Sequence, residues 1–140
     1  MTSLREVREA IADLLGEQIP GLNAYSTAVD SVNPPAVLIA PDNPGADYTQ
    51  NMRMKSVHWI LKATVLVPWG DPQGSQEILD EFIDITGERS IPRALFRARH
   101  DLPFTVVTDQ MTQYGARYNL ADQEYVGAVI RLRVNAEGAE

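Results

Sequence analysis

The residues from Val57 to Val67 constrain this chain more than any others. Val57, Trp59, Leu61, Ala63, Val65 and Val67 alternate with His58, Ile60, Lys62, Thr64 and Leu66. A period of two places successive side chains on opposite faces of a pleated strand, so this segment has one face in a core. A second segment repeats the pattern: Val126, Ala128, Ile130, Leu132 and Val134 alternate with Gly127, Val129, Arg131 and Arg133. Phe104 to Thr108 reads as another strand. With Gly115, Asn119 and Asp122 between them, this strand and the one from Val126 suggest a hairpin with a long or bulged connection. Ala36 to Ala40 is a short apolar run between Pro34-Pro35 and Pro41, expected as a strand buried on both faces.

Helical spacing accounts for the rest of the apolar residues. Ser3, with Glu6 three residues on, has the form of a capping box before Leu4, Val7, Ile11, Leu14 and Leu15, which predicts a helix over residues 3–16. Asp71-Pro72 is a cap followed by a first-turn proline. Ile78, Leu79, Phe82, Ile83 and Ile85 then form a stripe expected to end near Gly87. Ser90 can cap a short helix to about Arg99, with Leu95 and Phe96 inward and Arg93, Arg97 and Arg99 outward. Ala24 to Val29 reads as a short strand or an extended link. Pro41 to Lys55 has no period that would seat it in a core and reads as a long mobile loop. Asn135 to Glu140 reads as a frayed acidic tail. This order of elements predicts an α+β fold, a mainly antiparallel sheet of about four strands with two or three helices packed on one face. At 140 residues the chain suits a single domain.

Composition narrows the function. With 12 basic and 19 acidic residues the formal charge is -7, which repels a phosphate backbone at long range and argues against nucleic-acid binding as the main activity. The chain has no cysteine, so disulfides, thiolate metal sites and cysteine nucleophiles are excluded together. No apolar run reaches the ~20 residues that span a bilayer, and the first residues lack the apolar stretch of a signal peptide. The expectation is a protein made inside a cell, without a membrane association.

Candidate chemistry is sparse. His58 and His100 stand in no spacing that gathers metal ligands from one element, so no metal or cofactor is expected. Asp80 and Asp84 lie one turn apart, with Glu81 between them, but Ile78, Leu79, Phe82 and Ile83 define the expected buried side of that helix and leave the acids solvated. Ser75, Ser90 and Thr108 lie in no GxSxG or SxxK arrangement, and Ser90 is better explained as a cap. The glycines at 70, 74 and 87 make no phosphate-cradling loop. No catalytic residues are assigned. Arg93, Arg97 and Arg99 form a basic face that either meets an acidic partner or is simply solvated. Trp69 either covers the edge of the core, the favoured reading, or anchors an interface.

Taken together, these elements resemble the tail terminator, or tail completion, proteins of long-tailed bacteriophages. The likeness rests on the capped first helix, Pro34-Pro35-Ala36-Val37 leading into a strand, the polar loop, and the strand ending at Pro68. It continues through the acidic helix around Glu77 to Phe82, the segment Ser90 to Leu95, and two closing strands. The resemblance implies a homo-oligomeric ring, usually a hexamer. Such a ring sits on the tail tube, stops its polymerisation and joins it to the head-tail connector or stopper protein, with DNA passing through without specific binding. It places the protein in the virion, at the head-tail junction, after assembly in the host cytoplasm. It also implies that the long loop reaches the tail-tube protein, with Tyr48, Met52, Arg53, Met54 and Lys55 as the contact; Arg93, Arg97 and Arg99 stay, on their charge alone, either a partner contact or a solvated face. Methionine suits a surface that repacks on docking. Two other readings stand beside it: another head-tail joining or neck completion protein, and a small ligand-binding module or enzyme with a pocket between helices and sheet.

Overall fold

A computed structural model of the chain describes residues 3–27, 32–47 and 56–137. Its strands are β1 (Asn23–Tyr25), β2 (Ala36–Asp47), β3 (Ser56–Pro68), β4 (Thr105–Leu120) and β5 (Gln123–Glu137). Its helices are α1 (Leu4–Gln18), α2 (Pro72–Ile83) and α3 (Ile91–Arg97). The strands form one sheet in the order β1-β2-β3-β5-β4. Every pairing is antiparallel except that of β1 with β2. The fold is therefore α+β, as the pattern of periods predicts, but with five strands rather than about four. The additional strand is β1, three residues long and too short to display a period, which overlaps the start of the segment Ala24 to Val29 read as a short strand or an extended link.

The alternation in β3 and β5 has the consequence read from it. Leu61, Ala63, Val65 and Val67 lie in one core with Val126, Ala128, Ile130, Leu132 and Val134. Val7, Ile11 and Leu15 of α1, Leu79 and Phe82 of α2, and Ile91 and Leu95 of α3 join the same core, so all three helices cover one face of the sheet. At ~25 cal/mol per Å2 of apolar surface removed from water, this shared core is the main favourable term in folding.

The three expected caps are made. Ser3 accepts a hydrogen bond from Glu6 N at 3.2 Å, Asp71 from Gly74 N at 2.9 Å and Ser90 from Arg93 N at 3.1 Å. Each satisfies a backbone donor that the first turn of a helix leaves open.

Several boundaries differ from the sequence reading. α1 continues two residues beyond Gly16, and α2 stops at Ile83 rather than near Gly87. Ile85 is consequently outside the helix and 75% exposed, and the inward stripe of α2 is Ser75, Leu79 and Phe82. Phe96, expected inward, is 65% exposed, while Ala94, Leu95 and Ala98 fill the core side of that segment. β2 continues through Asp47, its pairing with β3 shifting register between Pro41 and Ala46, so the first half of the expected 41–55 loop is strand. The expected frayed tail also begins as strand, with Asn135, Ala136 and Glu137 paired to His58, Val57 and Ser56.

The connection between β4 and β5 is not long. It is the two-residue turn Ala121-Asp122, with φ of 52° and 62°. Two positive φ values give the turn the twist of its flanking strands. The irregularity lies inside β4, where the register shifts between Thr108 and Gln110 and again between Thr112 and Ala116.

Candidate assembly surface

The sequence-assigned contact residues divide into two groups. Tyr48, Met52, Arg53, Met54 and Lys55 lie outside the described residues. Arg93, Arg97 and Arg99 are described, and they do not act as one face. Arg93 turns back and donates to the Gly87 carbonyl at 3.1 Å. Arg97 is exposed. Arg99 donates to the Phe96 carbonyl at 2.7 Å, and its guanidinium lies 4.1 Å from the centre of the Phe96 ring. The outcome is an exposed knuckle of Phe96, Arg97 and Arg99 in which a cation is held over an aromatic face.

β4 is an outer strand of the sheet and is exposed over nearly all of its sixteen residues. The shift beside Asp109 reverses which face later side chains take. Val107, opposite Arg133, therefore lies on the face without helices, and Met111, opposite Ile130, on the helix-bearing face. Both are large and apolar, 53% and 46% exposed. Asp109 itself reaches Arg133 at 3.3 Å and Arg131 at 3.9 Å.

The face of the sheet without helices has two halves. Near the β4–β5 turn it is closed by Tyr125, Leu66, Ala36 and Val32, with the Tyr125 hydroxyl donating to the Val32 carbonyl at 3.2 Å. Towards the other end, Lys62 sits directly opposite Arg131 and Ile60 opposite Arg133. Like charges facing each other across strands repel, and Asp109, which reaches both arginines, offsets part of that repulsion. Sequence reasoning saw each of these residues as the polar side of a strand and missed their meeting, because only the register of β3 against β5 brings them together.

On the helix-bearing side, beside α2, lies an apolar pocket of about 280 Å3 lined by Trp69, Gln76, Leu79, Tyr114, Gly115 and Val126. Gly115 has φ 77° and Gln113 φ 54°, and this irregular stretch of β4 carries Tyr114 to α2, where its hydroxyl donates to Asp80. That hydrogen bond, with burial second, holds the Tyr114 phenol above its ordinary pKa. Arg117 lies 3.7 Å from the centre of the Trp69 ring. Trp69 is half-buried and packs against the core, in accord with the favoured reading of it as a cover for the core edge. An open groove of about 620 Å3 on the same helix is lined by Asp80, the partner of Tyr114, with Glu77, Glu81, Asp84, Glu88 and Arg89.

Two of the candidate nucleophiles, Ser75 and Ser90, are engaged in structure. The buried Ser75 hydroxyl donates to the Pro68 carbonyl at 2.8 Å and accepts from Gly70 N at 3.2 Å, tying α2 to the end of β3. Buried Ser90 donates to the Asp84 carbonyl while capping α3. His58 and His100 are both exposed, one on β3 and the other in the turn after α3. Among the described residues no group of three or more His, Asp or Glu is placed to hold a metal ion, and no helix is long and apolar enough to cross a membrane. In comparison with known proteins, the chain matches no protein-family model and no curated sequence.

Proposed function

We propose that the chain is a structural, non-enzymatic subunit of a long-tailed phage, which assembles with copies of itself into a ring that caps the tail tube. The ring stops tube polymerisation and joins the tail to the head connector, at the head-tail junction of the virion. The observation that carries this reading is β4: a sixteen-residue outer strand with most of its residues exposed, Val107 and Met111 among them. A long outer strand carries unpaired backbone groups that an assembling subunit can cover. The excess of acid over base also suits a ring through which DNA slides without being gripped.

Light scattering of the purified protein over a range of concentrations, alone and with tail-tube protein, tests the proposal. A mass of about six subunits, reached alone or on adding tubes, is the expected result. A single-subunit mass under every condition, indifferent to tubes, would refute it and favour a pocket-bearing module.

A further inference from the structure

The knuckle after α3 and the pocket beside α2 lie at opposite ends of the β4–β5 ribbon. Arg99, stacked on Phe96, lines a groove with Thr105 and Asn135, which pair with each other at one end of the ribbon. Val126 and Gly115, in the wall of the pocket, are near the other end. From Asn135 to Val126 is about nine residues of strand, or about 30 Å at ~3.3 Å per residue. The two surfaces are complementary in kind. One is an exposed aromatic ring flanked by the exposed cations Arg97 and Arg99. The other is an apolar hollow of about 280 Å3, roomy enough for one aromatic side chain, whose wall residue Tyr114 is bonded to the exposed Asp80 of α2, with the exposed Glu77 next in sequence to the lining Gln76.

We infer that Phe96 of one copy seats in the pocket of the next, between Trp69 and Tyr114, with Arg97 and Arg99 against Glu77 and Asp80. The occupant is a second copy because the charges are opposite in sign, and because the two patches are too far apart to meet within one chain. An aromatic side chain desolvated in a pocket and ringed by charge is the usual form of an interface hot spot. The contact joins unlike patches at opposite ends of the subunit, and on the ring reading it runs head to tail until its rotation completes a ring rather than being made reciprocally in a twofold pair. It rests on the ring reading and specifies the contact that would build the ring.

The chain has no cysteine, so introduced thiols report without background. Arg97→Cys and Glu77→Cys proteins, carrying different tags, are mixed at a concentration where light scattering detects oligomers and treated with a short bismaleimide. The expected product is a cross-linked heterodimer in the mixture and in neither protein alone; the doubly substituted chain gives a ladder that ends at the ring size. Phe96→Ala, whose side chain is mostly in solvent within one subunit, should melt like the parent protein while needing at least about tenfold more protein to assemble. Rings that form normally with Phe96→Ala and without the cross-link would overturn this contact and leave the ring standing. A ladder that never closes would keep the contact and remove the ring. A chain that stays single at every concentration, with and without tubes, would remove both.

Discussion

Gly127 sits in the middle of β5, opposite Leu66 of β3 and Ala116 of β4, in the interior of the sheet. On backbone entropy alone, glycine inside a strand is unfavourable, and Gly127→Ala should stabilise the fold by ~0.5–1 kcal/mol. The packing predicts the opposite sign. A methyl group on Gly127 would sit far inside contact distance of the Val65 carbonyl oxygen, at 3.0 Å from Leu66 Cδ2 and at 3.1 Å from Tyr118 Cε2. The two side chains can yield. The carbonyl belongs to β3, and moving it loosens the ladder that joins the two longest core strands. Overpacking costs ~1–3 kcal/mol, and disturbing one or two backbone hydrogen bonds costs about 1 kcal/mol each. The net is a loss of about 3 kcal/mol. For a domain of 140 residues, an unfolding entropy of ~2.1 cal/mol/K per residue turns this into a fall in Tm of about 10 °C. Gly16, in the last turns of α1, is the control, since a methyl there meets nothing within 4 Å. Gly16→Ala should raise stability by up to about 1 kcal/mol. Thermal unfolding followed by circular dichroism reads both. A Gly127→Ala protein that melts at or above the parent temperature would refute the close approach of β3 and β5 on which the argument depends.

Two further predictions concern the elements that hold the assembly surface. Ser90→Ala removes the α3 cap and the bond to the Asp84 carbonyl, and urea unfolding should report a loss of about 1–2 kcal/mol, with Ser90→Thr recovering most of it. The Tyr114 phenol has its pKa raised in the folded state, so its contribution to stability is complete below the ordinary phenol value of ~10 and is lost as pH rises through the higher folded value. Stability measured by urea unfolding between pH 8 and pH 11 should fall at the alkaline end, and Tyr114→Phe should lessen that fall. An identical decline in the two proteins would count against the Tyr114–Asp80 bond.

What could be read in advance was whatever creates contrast along the chain. β3 and β5 have apolar residues at every second position against a polar background, and their core faces followed directly. Ser3, Asp71 and Ser90 were legible as caps because a side-chain acceptor before a helix has one obvious use. β4 was legible only as far as Thr108: its register breaks twice and residues 109–115 are all exposed, which cuts off the alternation of the partly buried Ala116, Tyr118 and Leu120 from the strand before it. Its turn, Ala121-Asp122, carries no glycine to announce two positive φ values. Ile85 was misplaced because α2 ends at Ile83, before the stripe reaches it, and Phe96 because α3 is too short for spacing alone to fix its buried side, which falls on Ile91, Ala94 and Leu95. The pairing of Lys62 with Arg131 and the reach of Tyr114 to Asp80 depend on strand register and on irregularity within β4, which a single sequence does not encode locally.

The same irregularity bears on how such a subunit can assemble. A long outer strand offers a row of unpaired backbone groups, and regular pairing along it has no natural end: each added copy presents a fresh edge. A protein that terminates a polymer needs contacts that saturate instead. β4 is poorly suited to unlimited pairing. Its register breaks twice, Gln113 and Gly115 take left-handed conformations, and Asp109, with Arg131 and Arg133 around it, puts charge beside the first break. These are devices that blunt an edge. The second irregularity also carries Tyr114 to α2 and forms one wall of the apolar pocket. On the ring reading, one local departure from regular strand thus has two consequences: it interrupts backbone pairing that would not stop, and it builds a socket that one side chain fills once.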